Sequence, residues 1–339
     1  MKIRRPDLAK PAQALMACLI ALALASCKPE AHQPSPGNQT LELRGSSSSF
    51  AAPAYWRWFN GLAVRENINA DLSVMGSGES IQQFLSNQVD FAGTDSAPTA
   101  AEIQSARRGL LAFPVAAGAI AVAYHQPECN LKLSREQLVQ VFLGEIRNFE
   151  QLGCKPHPVT LLHRTDASGS TANVTATLAS LSPGWKRNPG VGRQVNWPQG
   201  IGVRGSDGMV QKLLDTPGSI GYVEAAYVRP PLRAAALQDR SGAFHTPSSS
   251  STAQALIQIK LDKKMLGSNP NPLNGYPIVS INWMLVPQRD LHQRAEGLRA
   301  SLRYILSQAG QDDAELLGYA PIPLAIRERA LKHLSEIKP

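Results

Sequence analysis

Cysteine is scarce: four occur in 339 residues, and two of them, Cys18 and Cys27, fall within the first 27. No cluster of His, Cys and carboxylates has metal-ligand spacing, so neither a metal nor a cofactor is expected. The apolar run near the N-terminus, about Ala12 to Ala25, is too short to span a bilayer comfortably. A dense Lys/Arg stripe with interleaved aromatics is also missing, which argues against nucleic acid as a partner. The Ser168 turn is no nucleophile elbow, because Gly-x-Ser-x-Gly is absent. Gly76-Ser77-Gly78 lacks the third glycine of a dinucleotide fingerprint. No internal repeat is visible.

What is present begins with a leader. Lys2, Arg4 and Arg5 precede the apolar run, which ends in Leu24-Ala25-Ser26-Cys27. A basic start, a short apolar stretch and small residues before the cut describe a secretory signal peptide over residues 1–27. Small residues directly before Cys27 resemble a lipobox, so Cys27 is the expected lipidation site and anchors the chain to a membrane. More than one acyl tail gives stable anchoring. Residues 28–40 are polar and proline-rich and read as a flexible tether. Without the leader, four of the 34 basic and one of the 26 acidic residues are gone, leaving a net charge of +5. A positive field favours anions but says little about any one site. Cys129 and Cys154 remain, and in an exported protein a single left-over pair most simply forms a disulfide.

The 312 remaining residues suffice for two domains, each with its own core. Short apolar strands alternate with helical patterns: Leu72–Met75, Val89–Ala92, Val159–His163, Gly218–Val223 and Ile278–Val286 read as strands. Phe50–Val64, Glu79–Ser86, Ser134–Leu143, Ser168–Leu181, Arg294–Ser307 and Pro323–Ile337 read as helices. Ser134 with Gln137 three positions on fits a capping box. Leu111–Tyr124 is too long for a strand of one small hairpin. This alternation predicts βαβ units and an α/β fold with largely parallel sheets. Trp56, Trp58 and Phe59 are expected to pack the first helix. Arg107-Arg108 reads as a solvated face, and Pro247–Ser251 as a serine-rich loop or helix cap.

Three places share one layout, in which a strand end leads through Gly and hydroxyl residues into a helix. They are Gly45–Phe50, Gly76–Ser80 and Arg164–Thr171. A helix N-terminus presents unpaired N–H groups and the positive end of its dipole. Glycine lets the backbone come close, and Ser or Thr adds a donor, so each is a candidate oxyanion site. One such motif is weak evidence, since Ser is a common cap; three beside an arginine carry more. Arg164 can fork onto two oxygens of a tetrahedral anion. Asp95, just past the end of the strand Val89–Ala92, sits oddly in an anion pocket until protons are counted. Phosphate near neutral pH keeps at least one P–OH, which an ionised Asp accepts. Sulfate has none, and would leave polar groups unpaired in a dry site.

On these stretches the chain resembles the periplasmic phosphate-binding proteins of the phosphate ABC transporter, the PstS family. The likeness runs from Leu41 to about Ile337. It also includes Phe113–Tyr124, Val195-Asn196-Trp197-Pro198, Pro217–Tyr222 and Gly318-Tyr319-Ala320-Pro321. It implies a two-lobed, type II periplasmic-binding-protein fold, each lobe a mainly parallel sheet flanked by helices. Lobe I is expected over 41–115 and 241–339, and lobe II over 116–240, with the return between Val228 and Val279. The implied phosphate ligands are Ser49, Phe50, Ser77, Asp95, Arg164, Ser168, Gly169 and Ser170, with Asp166 steadying the arginine. The implied partners are inorganic phosphate and the ABC permease subunits, with the chain a monomer held at the periplasmic or outer face of a membrane. Departures are Ser49 where Thr is common, Ser170 as the last residue of the turn, and one extra residue before Asp95. Glu79 replaces a small residue, and would repel an anion if it faced inward.

Two other classes compete. A phosphate-ester hydrolase needs a nucleophile held by a base; of seven histidines only His163 adjoins a motif, and it alternates with Arg164 so that it points away. No catalytic residue is therefore expected. A phosphate or related oxyanion sensor without a dedicated permease would share the same ligands.

Overall fold

Fourteen successive residues from Leu111 to Tyr124 form one strand, all but the first buried, and the architecture is built around it. The computed structural model describes residues 40–339, so the expected leader, Cys27 and nearly all of the tether lie outside it. Residues 40–339 form one compact unit. Among the described residues twelve strands run in chain order: β1 Leu41–Ser48, β2 Ile68–Met75, β3 Phe91–Thr94, β4 Leu111–Tyr124, β5 Lys132–Leu133, β6 Thr160–Arg164, β7 Ile201–Val203, β8 Ser219–Glu224, β9 Arg233–Ala234, β10 Ala236–Gln238, β11 Phe244–His245 and β12 Val279–Val286. The helices are α1 Ala52–Glu66, α2 Ser77–Leu85, α3 Ala100–Ser105, α4 Arg135–Leu143, α5 Gly169–Leu181, α6 Pro183–Arg187, α7 Gly205–Leu214, α8 Ser249–Leu256, α9 His292–Leu306, α10 Gln308–Glu315 and α11 Leu324–His333.

The α/β class is as the sequence predicts, but the sheet is mixed and continuous. Its order is β2-β1-β3-β12-β4-β8-β6-β7, with β9 also on β4. β2, β1 and β3 are parallel, as are β8, β6 and β7. Between these two parallel sets, β12 and β4 run antiparallel to their neighbours. Strand length is the cause. At about 3.3 Å per residue β4 spans roughly 45 Å. Its Leu111–Ala119 stretch pairs with β12 and its Ile120–Tyr124 stretch with β8. One strand thus serves both halves of the molecule.

Helix faces follow the 3.6-residue period. On α1, Tyr55, Trp58, Phe59 and Leu62 are buried, and Phe91 of β3 stacks on Tyr55 and Phe59 at 5.9 and 4.9 Å. Trp56 is 49 % exposed, against expectation, because one residue's rotation carries it off that face. The Ser46–Ser48 run continues β1, and all three residues are buried. Flanked by β2 and β3, this segment must be narrow. A Cβ on Gly45 would fall 2.1 Å from the Phe91 ring.

Local signals behave as read. Ser134 and Gln137 form a capping box, and Ser248 caps α8. Arg108 departs from the solvated reading: it holds Asp290 at 2.9 Å, Asn87 and the Val89 carbonyl. Cys129 and Cys154 are disulfide-bonded. Among the described residues no helix is long and apolar enough to cross a membrane, and no group of three or more His, Cys, Asp or Glu could hold a metal ion.

Candidate functional site

The parallel strands end at one place, and the three Gly/hydroxyl turns meet there. β1 runs out at Ser48 and α1 starts at Ala52; β2 runs out at Met75 and α2 starts at Ser77. β6 ends at Arg164 and α5 starts at Gly169. Ser49, Phe50, Ser77, Asp95, Arg164, Asp166, Ser168 and Ser170 are each no more than 5 % exposed.

Close approach joins the turns. A Cβ on Gly169 would lie 2.5 Å from Ser77 Oγ and 2.7 Å from Asp95 Cβ, so only glycine lets α5 reach them. Gly78 N–H donates to the Ala167 carbonyl at 2.8 Å, and Arg164 Nη2 donates to Ser49 Oγ at 3.3 Å. All eight predicted ligands and Asp166 therefore belong to one cluster drawn from both halves of the sheet.

Donors are left over in it. The first turn of α5 has no intrahelical acceptor for its N–H groups. Ser168 Oγ caps Thr171 at 3.3 Å and leaves those of Gly169 and Ser170. On the other side, Ser49 N–H donates to Met75 and Ala51 N–H to Ser48. Phe50 N–H between them makes no backbone bond among the described residues. Arg164 gives Nε to Asp166 Oδ1 at 2.7 Å and Nη2 to Asp166 Oδ2 and Ser49. Its Nη1 has no hydrogen-bond partner among the described residues.

Charge is finely balanced. Burial pushes Asp166 up, but Arg164 and the Gly205 N–H outweigh it and hold its carboxyl below the usual range. Arg164 and Asp166 thus cancel. Asp95 Oδ1 accepts from Ser48 Oγ at 2.8 Å and Asn282 Nδ2 at 2.7 Å, and Oδ2 accepts from Ser77 Oγ at 3.2 Å. Burial pushes Asp95 up; Asn282, Ser48, Ser77 and the Arg164 charge pull it partly back, and it settles at about 6. It is ionised at neutral pH. The side chains alone then carry one net negative charge, and attraction for an anion rests on oriented N–H and O–H dipoles. Such a site suits a tetrahedral oxyanion that brings a proton for Asp95.

Several contributors were not foreseen. Asn282 and Ser280 lie two apart in an otherwise apolar strand, a visible signal, since alternate residues share a face. Tyr55 Oη orients Asn282 at 3.0 Å, while Ser280 Oγ and Asn173 Nδ2 hold the Asp95 carbonyl at 2.9 and 2.8 Å. Ser206 on α7 meets Ser49 Oγ at 2.9 Å. Tyr227 and Tyr319 donate to the carbonyls of Ser49 and Phe50 at 2.7 and 2.6 Å. Tyr222 Oη accepts from Arg164 N–H at 3.0 Å and stacks with Trp197. The Val195–Pro198 motif thus braces the arginine from behind. His163 faces the other way and stacks on Trp197 at 5.4 Å. Glu79 pairs with Arg204 at the surface and does not face the cluster. Glu224 is wholly buried; burial pushes its carboxyl well up, Ala226 N–H bonds one oxygen, and the other has no hydrogen-bond partner among the described residues.

The family model described as PBP superfamily domain matches residues 30–309. The phosphate-binding protein PstS of Haemophilus influenzae is 29 % identical over 306 residues, covering 85 % of this chain and 91 % of that one. PstS of Pasteurella multocida is 30 % identical over 275 residues, covering 76 % and 78 %. Among solved structures, a high-affinity periplasmic phosphate-binding protein, PfluDING, bound with phosphate, superposes with a TM-score of 0.73 at 17 % identity, covering 85 % and 92 %. A phosphate-binding protein from Stenotrophomonas maltophilia gives 0.71 at 18 %, covering 87 % and 94 %. The chain belongs to the PBP superfamily and, within it, to the PstS family of phosphate-binding proteins.

Proposed function

We propose that this chain binds inorganic phosphate outside the cytoplasmic membrane and delivers it to an ABC importer. The observation that carries the reading is the buried cluster in which an ionised Asp95 sits beside Arg164 and three turns with unspent donors. Phosphate meets both demands: its oxygens accept from Phe50, the Ser77 N–H at the start of α2, Gly169, Ser170, Ser49 and Arg164, and its P–OH donates to Asp95. Ser168 shapes the turn as its cap, and Asp166 holds the guanidinium flat for the anion. Relatives named for phosphate binding support the same ligand. The family is one of substrate-binding transport proteins, and we assign no catalysis.

Around this core stand further parts of the proposal. Cys27 carries the lipid that tethers the chain to its membrane. The partner is the permease of the importer, approached by a monomer whose two halves close on the ligand by hinge motion. Titration calorimetry with phosphate, arsenate and sulfate tests the ligand. Tight phosphate binding with sulfate excluded supports the reading; equal binding of sulfate overturns it. Arg164→Ala with unchanged phosphate affinity removes the arginine from the site.

A further inference from the structure

Arg193 lies in the loop between α6 and β7, well away in sequence from every phosphate ligand. Its backbone carbonyl accepts from Ser168 N–H at 2.9 Å, which fixes the start of α5. Its side chain reaches the other half of the molecule. Nε donates to Ser96 Oγ at 2.6 Å and Nη2 to the Ala97 carbonyl at 3.1 Å. Nη1 and Nη2 fork onto Glu102 of α3 at 2.6 and 3.1 Å. Ser96 and Ala97 are the two residues after Asp95. One arginine therefore ties the Ser168 turn to the Asp95 turn, with Gly78 and Ala167 beside it in an open depression of about 440 Å³.

Burial separates this contact from its neighbour. The Arg193 and Glu102 side chains are 18 % and 14 % exposed, whereas those of Arg204 and Glu79 are 68 % and 36 % exposed. Exposed pairs contribute little, and bidentate arginine pairs shielded from water contribute more. Glu102 is itself prepared: Thr99 N–H bonds Oε2 at 2.7 Å in a capping box, so the carboxylate is in place before Arg193 arrives. Burial pushes the Glu102 carboxyl up, yet Arg193 and Thr99 hold it below its ordinary value.

We propose that Arg193 is a positioning residue whose clasp on Ser96, Ala97 and Glu102 holds the Asp95 turn against the Ser168 turn and sets the rate at which the anion leaves. This rests on phosphate as the ligand. Partners that are buried and paired govern dissociation, while rim charges govern association. Opening the cleft requires the clasp to break, and entry of the ligand does not require it to be formed.

Stopped-flow phosphate binding on the purified full chain tests this. Glu102→Gln is the sharper variant, because Gln still completes the Thr99 capping box while it removes the charge and one of the two acceptor oxygens that face Arg193. Glu102→Gln and Arg193→Met should each speed phosphate release by about tenfold or more, with association changed by less than about threefold. Arg204→Met should change release by less than about twofold. Equal effects of Arg204→Met and Glu102→Gln, or an association rate that falls as far as release rises, overturn the clasp. A wild type that binds phosphate while Glu102→Gln releases it at the unchanged rate overturns the clasp alone. A wild type that binds no phosphate overturns the ligand reading, and the clasp with it.

Discussion

Asp95→Asn should make the empty protein more stable while making it a worse sorter of anions. Asp95 is held by its surroundings at about 6, up from 3.8. The folded state therefore binds this proton more tightly than the unfolded chain does. Wild-type stability consequently falls as pH rises from 3.8 to about 6, and above that this group changes nothing further. Keeping the carboxylate ionised at neutral pH costs about 3 kcal/mol. Asparagine avoids that cost, but Ser77 must turn to accept from its amide, which we expect to return about 1 kcal/mol. The net gain should be about 2 kcal/mol. Urea unfolding of phosphate-free protein at about pH 7.5 and about pH 4.5 reads it, and the gap should shrink by about 2 kcal/mol at the acid end. In parallel, the variant should admit sulfate, since its amide can donate to an oxygen that carries no proton. A gap independent of pH, or a variant less stable than wild type at neutral pH, refutes the electrostatic reasoning.

Other changes probe other parts. Gly169→Ala places a methyl 2.5 Å from Ser77 Oγ, so calorimetry should show phosphate affinity down about 100-fold or more with the circular dichroism spectrum unchanged. Asp166→Asn leaves the Arg164 guanidinium unsteadied and uncancelled; affinity should fall about tenfold, and its dependence on salt should steepen. Glu224→Gln replaces a buried carboxyl that burial pushes well up. Its stability advantage over wild type should grow as pH rises above about 4.5, as denaturant melts would show. Replacing Cys129 and Cys154 with alanine opens a loop of 25 residues and should lower unfolding stability by about 3 kcal/mol.

Much of the site could be read from the chain because its parts are local. A strand end, a glycine, hydroxyls and a helix start occupy fewer than ten consecutive residues, and their donors follow from backbone geometry alone. Arg164 and Asp166 are two apart and meet within one turn. For the same reason the capping box at Ser134 was legible, whereas Leu111–Tyr124 showed only as an apolar run too long for a small hairpin and not as the single strand β4. Composition could not show that the Ser46–Ser48 run is strand, because only pairing with β2 and β3 together makes it one.

Long-range placement decided the rest. Asn282 reaches Asp95 from 187 positions away, through the register of β12 against β3. Ser206 meets Ser49 across 157 positions, and Arg193 meets Glu102 across 91. Asn282 and Ser280 stand out only as polar residues two apart in an apolar strand, and nothing near Ser206 or Arg193 marks them, since each is a polar side chain whose partner lies on a different element. By itself the sequence determined which groups could hold an anion and why a proton would matter. Which neighbours tune Asp95, and what keeps the two halves together, was decided only when β4 brought both sets of parallel strands into one sheet.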